Sequence, residues 1–193
     1  MKFTAKIFST LMLLSLTLSA QTTYKLDLSH SYVDFSVAHM IFSEVQGKFS
    51  IDSGKVVSTK DDFSDAQITV WINAGSVNTG NEKRDGHLRS ADFFDVAKYA
   101  TAIFKSTSFK KIGNNTYSIT GDLTMHGVTK PVTLDAKLKG KAKSPWGNTV
   151  VVFKGTASID RTQWGLTWNK PLEAAGGMLV GNTVDLTLHV ELN

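Results

Sequence analysis

No cysteine occurs anywhere in the chain, which removes disulfides, thiolate chemistry and a lipid-modified N-terminal cysteine together. Catalytic signatures are missing as well. There is no G-x-S-x-G elbow, no H-E-x-x-H, no G-x-x-x-x-G-K-[ST] and no dinucleotide fingerprint, so the reading is of a non-enzyme without a catalytic cofactor. Ser29 and Ser31 beside His30 fit a local backbone hydrogen-bonding device better than a nucleophile and its base. His30, His39, His87, His126 and His189 are scattered, without the close spacing of zinc ligands, and no metal is expected. Basic and acidic residues are interleaved, which argues against a nucleic-acid partner.

Only one predominantly apolar stretch has the length of a targeting segment. Lys2 and Lys6 precede a run from Ile7 to Leu18, and the small pair Ser19–Ala20 follows. This is the layout of a secretory signal peptide, too short for the roughly 20 residues of a spanning helix. Residues 1–20 are therefore expected to be a leader cleaved after Ala20, leaving one domain over 21–193. Losing Lys2 and Lys6 lowers the formal charge from +4 to +2.

Period-two alternation dominates the remainder. Val33, Phe35, Val37 and His39 share one face, with Tyr32, Asp34, Ser36 and Ala38 on the other. Similar runs occur at Gly47, Phe49 and Ile51, at Ile68, Val70 and Ile72, from Tyr117 to Met125, from Val128 to Leu138, and from Val184 to Val190. Turn residues separate them at Gly113-Asn114-Asn115, His126-Gly127 and Ser144 to Asn148. Asn114-Asn115-Thr116 also matches a glycosylation sequon and reads as a hairpin turn. From Asn81 to Val96 the alternation stops, and one or two helical turns capped by Asn81 are predicted over an end of the sheet. About eight hairpin-connected strands close as an up-and-down barrel or stack as a sandwich; the all-β, eight-stranded antiparallel barrel is favoured because closure leaves no edge.

Two longer motifs, D-L-S-H-S-Y-V-D-F-S-V-A-H-M (Asp27 to Met40) and G-D-L-T-M-H-G-V-T-K-P-V-T-L (Gly121 to Leu134), resemble the YceI-like family of polyisoprenoid-binding proteins. Ser76 to Asp95 and I-D-R-T-Q-W-G-L (Ile159 to Leu166) agree with it, in the same order along the chain. The resemblance implies an extended, lipocalin-like barrel, exported to the bacterial periplasm, with an isoprenoid chain threaded through its interior. Tyr24, Ala100 and Trp164 depart from the family's usual Trp, Pro and Phe. A Trp164 lining the cavity would narrow it.

A buried isoprenoid needs a continuous apolar wall. Val33, Phe35, Val37, Phe49, Ile68, Val70, Leu123 and Met125 could supply one, with Phe93 and Phe94 as a hydrophobic plug and Trp164 as a further tail contact or a packing residue. Pattern alone favours an ordinary filled core built from these residues; the resemblance reverses that preference toward a hollow one. For an anionic head group the candidates are Arg84, His87 and Arg89, since arginine forks onto phosphate. For a quinone, His39 at the end of its apolar face suffices. Met178 beside Gly176-Gly177 marks either a loop at the mouth or a plain turn. Transient membrane contact for loading and release is expected, and a homodimer stays open. The competing expectation is a filled barrel acting as a protein-interaction or stress-response module.

Overall fold

The structure, a computed structural model, describes residues 20–173 and 176–193. Of the predicted leader, only Ala20 falls among the described residues.

Eight strands follow one another around a closed antiparallel ring: β2 (Tyr32–His39), β3 (Ser43–Ser58), β4 (Gln67–Asn73), β5 (Thr101–Gly113), β6 (Thr116–Met125), β7 (Val128–Lys143), β8 (Thr149–Asp160) and β9 (Val180–Leu192). Pairing of β3 with β4 and of β2 with β9 closes it. The predicted up-and-down, lipocalin-like barrel is therefore the fold. A further strand, β1 (Thr22–Lys25), pairs with the far half of β3 from Thr22↔Ser58 to Lys25↔Lys55, and Leu26 bridges to Leu192. Together β1 and β2 form one interrupted strand between β3 and β9. At the interruption Ser31 Oγ accepts from the Glu191 amide at 3.0 Å and donates to its carbonyl at 3.3 Å. The hydroxyl replaces a missing ladder rung, the local role predicted for this serine.

β5 and β8 carry no clean alternation, for reasons the register and sequence show. A bulge between Ser106 and Ser108 reverses the phase of β5, so that Phe104 and Phe109, five residues apart, both line the interior. In β8 an unbroken Val150–Phe153 run is followed by small inward residues, Gly155 and Ala157. Period-two reading needs a constant phase and a side chain on each inward position, and these strands lack one or the other.

Sixteen residues in β3, at about 3.3 Å each, make that strand about 50 Å long. The two ends differ. At one, helix α1 (Glu82–Arg89) and the segment up to Ala100 cover the barrel between β4 and β5. Asn81 caps α1 as expected, its side chain accepting from the Arg84 amide at 3.0 Å. At the other end the 59–66 loop folds inward and leaves Phe63 fully buried. Asp65 gathers that loop by accepting from Ser58 Oγ at 2.6 Å, from the amides of Thr59 and Lys60, and from Thr59 Oγ1. These hydroxyls hold the Asp65 carboxyl far below the usual carboxylate range. Tyr117 donates its phenolic O–H to the Asp62 carbonyl at 2.8 Å and pins the loop from inside.

Candidate functional site

The helix end carries the opening. A cleft of about 440 Å³ is lined there by Val37 and His39 of β2, Lys83, Arg84 and His87 of α1, and Trp168. Phe35, Val37, Leu88, Phe93 and Val180 lie on its wall and also on that of a deeper chamber of about 100 Å³, so the two are neighbours through one layer of side chains. The deeper chamber adds Phe49, Phe94, Met125 and Arg161. Toward the closed end lies another chamber of about 70 Å³, whose lining, including Phe63, Ile68, Val70, Phe104 and Phe153, carries no polar side chain.

The expected tunnel is thus a pair of narrow, largely apolar chambers, the deeper one crowded by aromatic rings. Phe35 and Phe49 have ring centroids 5.3 Å apart, and Phe94 meets Phe49 edge-on at 5.4 Å. Each chamber is smaller than the roughly 150 Å³ that takes up one benzene. In the conformation described here a long hydrocarbon chain does not fit until these rings turn aside.

The sequence-predicted wall residues divide accordingly. Phe35, Val37, Phe49, Phe93, Phe94 and Met125 line the deeper chamber, and Ile68 and Val70 line the one near the closed end. Val33 and Leu123 are buried in the surrounding core and line neither. Trp164, only 2% exposed, also lines neither; its indole N–H donates to the Leu123 carbonyl at 3.0 Å. It packs the barrel end and does not narrow the cavity.

The head-group candidates separate too. Arg84, His87 and His39 border the opening together with Lys83, which the sequence reading had not singled out. Arg84 is held by donating from Nε to Thr79 Oγ1 at 2.7 Å and from Nη2 to the Thr79 carbonyl at 3.0 Å. His87 Nε2 lies 2.8 Å from Asp92 Oδ2, and its ring stands edge-on to Phe93 and Trp168. Arg89 turns away from the opening. Its Nη1 donates to the carbonyls of Val77 at 3.2 Å and Gly75 at 3.4 Å, fastening α1 to the strand-end turn.

Arg161 was missed as a site residue, although it lies inside the I-D-R-T-Q-W-G-L segment. It is 4% exposed and, among the described residues, the one charged side chain on the deeper chamber. Its guanidinium donates to the carbonyls of Gly181 (2.8 Å), Leu166, Trp168 (3.2 Å) and Val180 (3.5 Å). Burial lowers its pKa from the ordinary value and neighbouring Asp160 raises it. Four of its five N–H groups are occupied in this way. An arginine directly after β8, inside that segment, was the available signal, but sequence does not show that the side chain points inward.

One group among the described residues could hold a metal ion. Asp27, His30 and Glu191 offer ligand atoms within 4.8 Å of one another on the outer wall. His30 Nδ1 lies 3.1 Å from Asp27 Oδ2 and 3.9 Å from Glu191 Oε1. That spacing already satisfies an ion pair, with the His30 pKa raised and the Asp27 pKa lowered by their mutual hydrogen bond.

The chain can be compared with known proteins on this basis. A UPF0312 protein of Ectopseudomonas mendocina is 40% identical over 162 residues, covering 84% of this chain and 81% of its own. One from Serratia proteamaculans is 41% identical over 159 residues, covering 81% and 82%. Among solved structures, Burkholderia cenocepacia BcnA superposes with a TM-score of 0.72 at 21% identity, over 86% of this chain and 98% of that one. A polyisoprenoid binding domain from Saccharophagus degradans, implicated in plant cell wall breakdown, gives 0.63 at 17% identity, over 88% and 97%. These two likenesses concern the fold. The YceI-like domain model matches residues 24–192, nearly the whole barrel, and the chain belongs to that family.

Proposed function

We propose that this barrel is an exported binding protein, not a catalyst, that takes the tail of an isoprenoid lipid through the helix-end opening into the two apolar chambers. The carrying observation is the continuity at the open end: a cleft edged by Lys83, Arg84, His87 and His39 shares apolar walls with the deeper chamber, where Arg161 is the single charged side chain among the described residues. The polyisoprenoid-binding domain of Saccharophagus degradans, which shares the fold, supports the ligand class. Loading then requires Phe35, Phe49, Phe93 and Phe94 to swing from the chamber. Arg84 and Lys83 would meet a phosphate head at the rim, whereas a prenylated quinone would need only a donor such as His39.

Burying each methylene is worth about 0.8 kcal/mol against water, so a long tail would exceed the affinity ceiling of about 18–21 kcal/mol. A bilayer, equally apolar, is the proper reference. Tail burial gives little net preference against it, and chamber shape and head-group contacts set specificity. Release follows from whichever acceptor binds the lipid better, a membrane or another protein. Met40, Ile41 and Phe42, exposed at the β2–β3 tip, present an apolar rim beside the opening.

Organic extraction of natively purified protein followed by mass spectrometry is expected to yield a prenyl lipid, and Arg84→Ala is expected to weaken retention of a phosphorylated one. The small chambers favour a second reading, a filled barrel working through its surface. A clean extract with no uptake of added prenyl lipids would establish that reading and sink the carrier. For export, the mature protein recovered from the periplasm should begin at Gln21; recovery of a chain starting at Met1 would refute it.

A further inference from the structure

We infer that the β7–β8 hairpin, at the end opposite the opening, is a docking surface for an anionic lipid bilayer. Between Ala136 and Ile159 the chain has five lysines and neither aspartate nor glutamate. Lys137, Lys139, Lys141, Lys143 and Lys154 are all exposed, and among the described residues none makes an ion pair. The hairpin also projects. β6 stops pairing at Thr116↔Lys137, whereas β7 runs on to Lys143 with only β8 beside it. Six residue steps from Lys137 to Lys143 spread the charge over about 20 Å. At the tip Trp146 is 88% exposed, in a turn fixed by the Ser144 amide donating to the Asn148 carbonyl at 2.9 Å and the Gly147 amide to the Ser144 carbonyl at 3.0 Å. Ile112, 64% exposed, stands at the end of β5 on the same side of the barrel.

The pairing of this charge with an exposed indole selects the partner. Lysine is a compact point charge suited to a diffuse anionic surface, and tryptophan prefers the head-group region of a bilayer. Nucleic acid would match the charge, but this hairpin offers no arginine and one aromatic at its tip, not a stacking platform. Lysines also guard exposed strand edges against pairing. That role leaves the tryptophan unexplained. The described chain enters the fold at this same end, with Thr22 opposite Ser58.

The inference is independent of cargo, and its test uses the barrel without added lipid ligand. Co-flotation with phosphatidylcholine vesicles is compared with vesicles containing phosphatidylglycerol, at low and high salt. Binding is expected only to the anionic vesicles and to fade with salt. The double variant Lys141→Glu/Lys143→Glu should lower it by at least about 25-fold, from roughly fivefold per lysine. Lys105→Glu/Lys130→Glu, an equal charge change elsewhere on the wall, should alter it by less than about threefold on the same reasoning. Trp146→Ser should weaken binding and abolish the blue shift in tryptophan emission, and thermal melts should show all three variants folded. Equal losses in the two double variants, no binding to anionic vesicles, or tighter binding to a single-stranded oligonucleotide would each overturn the assignment.

Discussion

Replacing Arg161 by methionine tests whether this buried cation is structural. The side chain joins the start of β9, through the carbonyls of Val180 and Gly181, to the 165–169 segment, through those of Leu166 and Trp168. Methionine fills the volume but donates nothing. Val180 keeps a second donor, Asn169 Nδ2 at 2.7 Å, so three carbonyls lose this partner. Each unsatisfied buried group costs about 1–3 kcal/mol, reduced where water enters from the adjacent cleft; about 3–5 kcal/mol is expected in sum, the range for breaking a buried charged network. At about 2–4 °C per kcal/mol for a chain of this size, the melting temperature should fall by about 6–20 °C. Urea titration followed by tryptophan fluorescence gives the free energy directly. A loss below about 1 kcal/mol would show that water or rotated peptides replace the guanidinium without cost, and that its hydrogen bonds carry no structural weight.

Three further outcomes follow from the packing and the closed end. The Asp62 carboxyl is held at about 2, first by the Lys111 ammonium and then by Ser64, and Asp65 lies lower still. Both are depressed, so their stabilisation is complete above the unfolded value near 3.9 and is withdrawn as pH falls through the folded values; calorimetry should show a steep loss below about pH 4 that Asp62→Asn/Asp65→Asn flattens, and an unflattened profile would count against this loop. Gly121→Ala would bring its Cβ to 2.5 Å from both the Lys105 carbonyl oxygen and the Phe104 ring; since the backbone cannot yield, a cost of about 1–3 kcal/mol is expected in denaturant titration, and an unchanged midpoint would mean the strands separate there. Val184→Trp should fill the deeper chamber and abolish uptake of a prenyl lipid while the barrel stays folded; unaltered uptake would place the tail elsewhere.

Much of the wall was legible because alternation survives wherever strand phase is constant. β2, β6 and β9 keep one phase through the interior, and their inward residues could be named from sequence. β5 could not be read this way, because its bulge brings Phe104 and Phe109 to one face despite their odd spacing. The helix and its cap were equally accessible, since Asn81 and the charged run after it act locally. Side-chain direction on that helix was not: Arg84 and Arg89 look alike in sequence, yet one borders the opening and the other clasps Gly75 and Val77. Arg161 and the Asp27–His30–Glu191 group depend on long-range closure, β9 in both cases, which no local pattern encodes.

β1 and the last residue of the chain are laced together: the Lys25 amide donates to the Asn193 carbonyl at 2.9 Å, and the Asn193 amide returns the bond to Lys25 at 2.9 Å. Both ends of the described barrel therefore emerge side by side, a full strand length from the helix. A fusion partner, dye or surface linkage placed at either terminus would leave the entrance unobstructed. A short peptide joining the two would also permit a circular permutant reopened at Asn114–Asn115, with the wall's ladder kept whole.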